Sequence, residues 1–195
     1  KSELKNIAEG LIETFDVAGQ ESIDLYAKGL KIEIKPDNSP VSNGDLRCNE
    51  LITNKILELT PNIPIISEET VDLKIKNKNK IFWLIDPIDG TKEYIAGKTE
   101  YTLNAALIID KVPSIGLVGA PKKKQLFYSY GNGDSYLIES KTKIKNDCSK
   151  KTPKNEIIAL SSSVHPSEEI MKELKKFNIT SVIKMASSYK FCVIA

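Results

Sequence analysis

The chain is poor in the residues that most often do chemistry at neutral pH. Of its 195 residues, only His165 is a histidine and only Arg47 an arginine. The lack of arginine excludes a surface that grips phosphates mainly through bidentate guanidinium forks. His165, just before Pro166, reads as a loop residue near a helix start rather than a catalytic base. Three cysteines (Cys48, Cys148, Cys192) are too few and too scattered for a disulfide framework or a zinc cluster. A reducing compartment is expected, and no cysteine has a paired partner that would make it catalytic. Long apolar runs are missing: the longest internal one, Ala105 to Ile109, falls far short of the roughly 18 residues of a membrane span. The N-terminal KSELKNIAEGL is amphipathic and lacks the apolar stretch of a signal peptide. Charge of one sign is missing too. With 28 Lys+Arg against 26 Asp+Glu, the net charge is +2. That excludes affinity for nucleic acid through bulk charge and an acidic solvating tail. There is no initiator Met, and the last residues stop inside an apolar stretch, so a further C-terminal segment is expected.

The 41% of hydrophobic residues suffices for a sizeable core. Helical spacing over 3–28 predicts one long helix or two short ones. KIEIK (31–35) alternates as a half-buried strand, and PDNSP (36–40) is a turn. Residues 43–59 form a second helix that Asn43 can cap, with Leu46, Leu51, Ile52, Ile56 and Leu59 inward. Ile63 to Ile66 is a short buried strand and Ile81 to Ile85 a fully apolar one. Further strands fall near 101–110, 113–120, 125–130 and 134–138. Residues 140–155 read as a polar loop, followed by a buried strand (156–160), a helix (166–177) with Ile170, Met171 and Leu174 inward, a strand (180–184) and a last helix from Ser187. This order is α+β moving into α/β. Its boundary divides an N-terminal part, 1–150, from the start of a second part, 151–195.

Two strands end in acids. A carboxylate in the middle of a buried strand carries a large desolvation cost, whereas one just past the strand end can face a cleft from a fixed position. Ile65-Ile66-Ser67-Glu68-Glu69 and Leu84-Ile85-Asp86-Pro87-Ile88-Asp89 both have this form. If the two strands are neighbours, Glu68, Asp86 and Asp89 converge. At ~4 Å and an effective dielectric of ~20, each such pair repels by ~4 kcal/mol. Proton uptake or a divalent cation must offset this, and hard oxygen donors without nearby His or Cys point to Mg²⁺. Because Mg²⁺ keeps waters and shares substrate phosphates, the implied substrate is a phosphate ester. Gly90 permits close approach of backbone to a ligand, and Thr91 opens a helix whose first N–H groups can face an anion. The bland reading of DPIDGT is a turn. Its place after a buried strand, with a second acid-tipped strand before it, favours the functional one.

WLIDPIDGT (83–91) resembles the signature of the inositol monophosphatase superfamily, the lithium-sensitive Mg²⁺ phosphatases. Lys92-Glu93-Tyr94 narrows the resemblance to the 3′(2′),5′-bisphosphate nucleotidases of the bacterial CysQ type. DNSPVS (37–42) with Asp45, ISEE (66–69) and SSYKFC (187–192) are similar to that branch's DxSPVTxAD, LSEE and GSSLKFC segments. The resemblance implies a layered α-β-α-β sandwich of the lithium-sensitive sugar-phosphatase type. It also implies two or three Mg²⁺ ions and hydrolysis of adenosine 3′,5′-bisphosphate to AMP and phosphate. Glu68, Asp86 and the Ile88 carbonyl would hold the first ion. Asp86 and Asp89 would hold the second, with a further Asp from a WDTAAG-like segment. Asp45 and Thr91 would be catalytic, orienting and deprotonating the attacking water. Gly90 and Thr91 N–H groups would bind the scissile phosphate, beside Glu68, Ile88 and Asp89. Ser187, Ser188 and Lys190 would bind the nucleotide, as would Ser163 and His165 of SSSVH, which resembles an SxSH segment.

Three positions depart from the branch: Ala186 for Gly, Ser42 for Thr, and one extra residue in SSSVH. The WDTAAG-like segment is not among the 195 residues, so a chain of this length is expected to be weak or inactive. The resemblance further implies a cytoplasmic protein, or one peripheral on the inner face of the cell membrane, acting as monomer or homodimer in sulfate assimilation. Three other functions are weighed: the same fold acting on inositol monophosphate or a sugar phosphate, a non-catalytic phosphonucleotide-binding protein, and an RNA-binding module. Lys92-Glu93 and SSYKFC argue against the first, and the intact acids against the second. The third has only lysine clusters behind it, without interleaved aromatics. Lys122-Lys123-Lys124 reads as a solvated turn, and Lys74, Lys76, Lys78 and Lys80 as a solvated loop or flap near the site. Trp83 reads as core.

Overall fold

A computed structural model describes residues 2–70, 79–132, 135–139, 144–147, 157–162, 167–179 and 181–194. Cys148, Ser163, His165, Lys74, Lys76 and Lys78 lie outside the described residues.

The N-terminal pattern resolves into two helices, α1 (Ser2–Gly10) and α2 (Ile12–Lys28). They part at Gly10, where an added Cβ would come within 3.2 Å of the Leu59 side chain. β1 (Ile32–Ile34) pairs antiparallel with β2 (Pro40–Ser42). All three β1 residues are exposed, which corrects the half-buried expectation: this two-stranded arm lies outside the main sheet and has no inner face to cover.

α3 (Asn43–Leu59) has the expected bounds but a different cap. Ser42 is the N-cap, and its hydroxyl accepts from the Gly44 N–H at 3.1 Å. Asp45, three residues on, closes a capping box by accepting from the Ser42 N–H at 2.8 Å. Asn43 instead accepts from the Lys31 N–H at 2.9 Å, tying the arm to the helix. α3 buries Cys48, Ile52 and Ile56, four residues apart on one stripe, and exposes Leu46. Burial pushes the Cys48 thiol up to about 12, so it stays protonated and inert, as expected.

A seven-stranded sheet follows: β3 (Ile65–Ser67), β4 (Ile81–Asp89), β5 (Thr102–Ile109), β6 (Val112–Ala120), β7 (Gln125–Tyr130), β8 (Ser135–Glu139) and β9 (Ile144–Asp147). β3–β4 is parallel and every later pair antiparallel. β9 falls in the stretch read as a loop. β4 alternates rather than being buried throughout. Trp83 and Ile85 face the helices, whereas Ile81 and Leu84 are about half exposed. Phe15, Ile52, Ile56, Trp83, Ile85, Leu103, Leu107 and Leu117 belong to one core between helices and sheet.

Trp83 is fully buried, and its Nε1–H donates to Thr60 Oγ1 at 3.0 Å. Trp83→Ala is expected to destabilise the protein by about 3–5 kcal/mol, measured by urea unfolding. A loss under about 1 kcal/mol would mean that this residue does not anchor the core.

Between β6 and β7, Pro121–Lys123 form a 3₁₀ turn rather than a merely solvated one. Lys122 lies over the Tyr26 ring (5.4 Å) and Lys123 over the Tyr189 ring (5.8 Å). The second part carries β10 (Ala159–Ser161) parallel to β11 (Val182–Lys184), α5 (Glu168–Lys176) capped by Ser167, and α6 (Tyr189–Ile194). Ile170 is exposed, contrary to the expectation that it faces inward. The whole is a helix-on-sheet α/β sandwich, α+β passing into α/β. Among the described residues no helix is long and apolar enough to cross a membrane.

Candidate active site

Asp86 and Asp89 are three residues apart, so a regular strand would send them to opposite faces. The register prevents this. Asp86 pairs with Asn104 and Asp89 with Thr102, so one residue too many lies between them on β4. A bulge of one residue restores a common face, and Pro87, which has no N–H to give to a ladder, suits it. β3 and β4 are neighbours, as the convergence of their acids requires. Ser67 pairs with Ile85, and the Glu68 N–H donates to the Ile85 carbonyl at 3.0 Å, which sets Glu68 beside Asp86.

The cluster is electrostatically unsatisfied. Asp86 Oδ1 is buried and finds no hydrogen-bond partner among the described residues. Burial first, then the charges of Glu68 and Asp89, push the Asp86 carboxyl up to about 8. The Glu68 side chain is half exposed and meets Lys35 Nζ at 3.4 Å, while the better buried Glu69 holds the same ammonium at 2.8 Å. Among the described residues no group of three or more His, Cys, Asp or Glu side chains stands arranged to hold a metal ion. The donors nevertheless fit a hard cation. Three carboxylates and the Ile88 carbonyl offer oxygen donors, and an orphaned, strongly proton-seeking carboxylate is what a divalent ion would satisfy.

Asp45 stands beside this cluster. One carboxylate oxygen is spent on the capping box, accepting from the Ser42 N–H and hydroxyl (2.8 and 2.6 Å). The other accepts from Thr91 Oγ1 at 3.0 Å. The Thr91 hydroxyl also lies 3.1 Å from the Ile88 carbonyl, so its single proton faces two acceptors and its lone pairs stay open. Burial raises the Asp45 pKa, against the hydrogen bonds from Ser42 and Thr91. Gly90 precedes Thr91 with φ 90°, a left-handed conformation that an L side chain adopts only under strain. It lets α4 (Thr91–Ile95) start directly off the bulged strand.

The 186–190 segment closes over the same face. The Ser188 N–H donates to Asp89 Oδ2. The Ala186 N–H donates to Glu100 at 3.1 Å, and Lys190 Nζ folds back onto the Ser187 carbonyl at 2.7 Å. Ser187 takes a left-handed φ of 55°, so the strain of this turn falls on Ser187 and not on Ala186, the residue that departs from the Gly of the resembling segment. Of the residues expected at the site, Asp45, Glu68, Asp86, Ile88, Asp89, Gly90, Thr91, Ser187, Ser188 and Lys190 belong to these connected elements. Sequence reading missed Thr102, Asn104 and Glu100. The one available signal was two polar residues, spaced i and i+2, opening an otherwise apolar strand.

Fold and site together define a class, the sandwich-fold phosphatases with an acidic cradle. The pattern of the inositol monophosphatase family matches residues 3–195, and the chain belongs to that family. It is 34% identical over 181 residues to the 3′(2′),5′-bisphosphate nucleotidase CysQ of Buchnera aphidicola subsp. Acyrthosiphon pisum (strain APS), covering 91% of this chain and 67% of the relative. Its fold is similar to the crystal structure of CysQ from Bacteroides thetaiotaomicron, with TM-score 0.78 and 26% identity, covering 98% of this chain and 76% of the other. An IMPase/NADP phosphatase solved with Mg²⁺ and phosphate shares the fold at TM-score 0.73 and 16% identity, covering 94% of this chain and 68% of the other.

Proposed function

We propose that this chain carries the catalytic centre of a Mg²⁺-dependent 3′(2′),5′-bisphosphate nucleotidase. Its reaction removes the 3′-phosphate of adenosine 3′,5′-bisphosphate and leaves AMP and phosphate. The observation that carries the reading is the bulge that puts Asp86 and Asp89 on one face beside the Thr91–Asp45 pair. Glu68, Asp86, Asp89 and the Ile88 carbonyl would hold two or three Mg²⁺ ions. Bound there, the cations supply positive charge to the phosphoryl oxygens and acidify water.

Thr91 Oγ accepts a proton from the attacking water while its own proton moves to Asp45 Oδ1. The new P–O bond forms in line as the bond to the 3′-oxygen breaks; that oxygen takes its proton from a solvent water, and the proton held on Asp45 returns to the hydroxide so formed. Gly90 and Thr91 N–H groups hold the scissile phosphate, and Ser187, Ser188 and Lys190 border the nucleotide. Ser163 and His165, outside the described residues, belong to the same proposed contact. The CysQ relatives, named for this activity, support the nucleotide over an inositol ester. Li⁺ inhibition, a cytoplasmic location, a monomer or homodimer, a role in sulfate assimilation and a division into 1–150 and 151–195 belong to the same reading.

The test is phosphate release from adenosine 3′,5′-bisphosphate and from inositol 1-phosphate, side by side, in a form extended to the full length of the relatives. The nucleotide is expected to lead in kcat/KM by at least about 10²-fold, because polar contacts built for one substrate are left unpaired by another. Preference for the inositol ester would move the protein to another branch of the family. Nucleotide binding without release from either would make it a binding protein.

A further inference from the structure

Ser188 makes no free hydroxyl contact available to a substrate. Its Oγ donates to Asn104 Oδ1 at 2.6 Å and lies 2.8 Å from Thr102 Oγ1. With that proton given to Asn104, the Thr102 hydroxyl is the donor of the second bond. Thr102 is fully buried, and the Asn104 amide returns toward the Thr102 carbonyl and hydroxyl at 3.3 Å each. Thr102 and Asn104 are the β5 residues paired with Asp89 and Asp86 across the bulge. The three side chains therefore form a closed polar ring on the face that carries both acids. Two backbone groups of Ser188 lie outside the ring: its carbonyl accepts from the Phe191 N–H at 3.0 Å, and its N–H sits on Asp89 Oδ2.

We propose that Thr102 and Asn104 are positioning residues. They lock the Ser188 hydroxyl so that its N–H holds Asp89 in a fixed orientation, with the second carboxylate oxygen left for a cation. The inference rests on the phosphatase reading of this site, since it needs Asp89 to face a metal. The Ser188 N–H aims a fixed dipole at the Asp89 carboxylate. It also fixes the carboxylate before a cation arrives, and outer partners of this kind are worth about 10–100-fold in metal affinity. The ring ties the 186–190 segment to β5, so the segment that borders the nucleotide and the carboxylate that faces the metal are set by one device.

The experiment is calorimetric titration with Mg²⁺, without substrate, on the full-length protein. Thr102→Val and Ser188→Ala are each expected to weaken Mg²⁺ binding about 10-fold or more. The double variant is expected to be no weaker than the worse single one, because both break the same ring. Thr102→Ser, which keeps the hydroxyl, is expected to bind as the wild type does. A purely structural role would lower the metal-free melting temperature without moving Mg²⁺ affinity. Unchanged affinity in Thr102→Val and Ser188→Ala, with Asp89→Asn clearly weakened, overturns the positioning role and leaves the phosphatase reading standing. Fully additive effects overturn the shared ring. Unchanged affinity in Asp89→Asn overturns the metal assignment and this inference with it.

Discussion

Asp45→Asn is expected to lower kcat by about 10²–10⁴-fold, the usual worth of a positioned general base. The residue has two jobs, and this substitution separates them. As the third residue of α3 it closes the capping box through Oδ2, and an asparagine oxygen can still accept from the Ser42 N–H. The helix end therefore keeps most of its cap, and stability should fall by no more than about 1 kcal/mol. The other oxygen accepts from Thr91, and an amide cannot take up the proton that Thr91 would pass on in the proposed mechanism. Steady-state kinetics at saturating Mg²⁺, with a thermal melt of the same preparation, reads both effects. A kcat within threefold of wild type would reduce Asp45 to a helix cap.

Asp86→Asn is expected to make the metal-free protein more stable and, at the same time, to abolish its stabilisation by Mg²⁺. The Asp86 carboxyl is raised from its ordinary value to about 8, so the folded state binds a proton that the unfolded chain has released. Below the unfolded value, near 4, both states are protonated and the group contributes nothing to the pH slope. Between about pH 4 and 8 the folded protein loses up to about 1.4 kcal/mol per unit as pH rises. Above about 8 both states are ionised and the penalty is complete. Asp45 and Glu69, raised chiefly by burial, slope the same way, so the difference between wild type and Asp86→Asn isolates the one group. At about 2–4 °C per kcal/mol, the variant should melt on the order of ten degrees or more higher near pH 8 and gain nothing near pH 4. Mg²⁺ should raise the melting temperature of the wild type only. A lower melting temperature for the variant at pH 8 would mean that Asp86 is already satisfied by a contact inside the protein.

Much of the site was legible because its parts are local. Acids stacked after two apolar segments announce strand ends, and the shared edge of β3 and β4 is the simplest way to join such segments. The bulge was less legible. Read by alternation, Pro87 ends the strand at Ile85, whereas the ladder runs through Asp86 and, past the bulge, to Asp89, where β4 ends. The cap was misplaced by one residue because Ser42 and Asn43 both suit the position. The decisive sign, an acid three residues after Ser42, was present. Thr102 and Asn104 gave no functional signal of their own, since their partner Ser188 lies 86 and 84 residues away. β1 was misjudged for a different reason. KIEIK alternates as a half-buried strand should, but a strand that among the described residues pairs with β2 alone has no sheet face to bury.

The central claim is that the acids on the bulged strand end make a metal-dependent phosphatase centre. Its most direct measurement is phosphate release from adenosine 3′,5′-bisphosphate against Mg²⁺ concentration, for wild type and Asp89→Asn in full-length form. The expected result is release that is absent without Mg²⁺, saturates with it, and falls at least about 10²-fold in the variant. Release that is independent of Mg²⁺, or equal in the two proteins, would contradict the account.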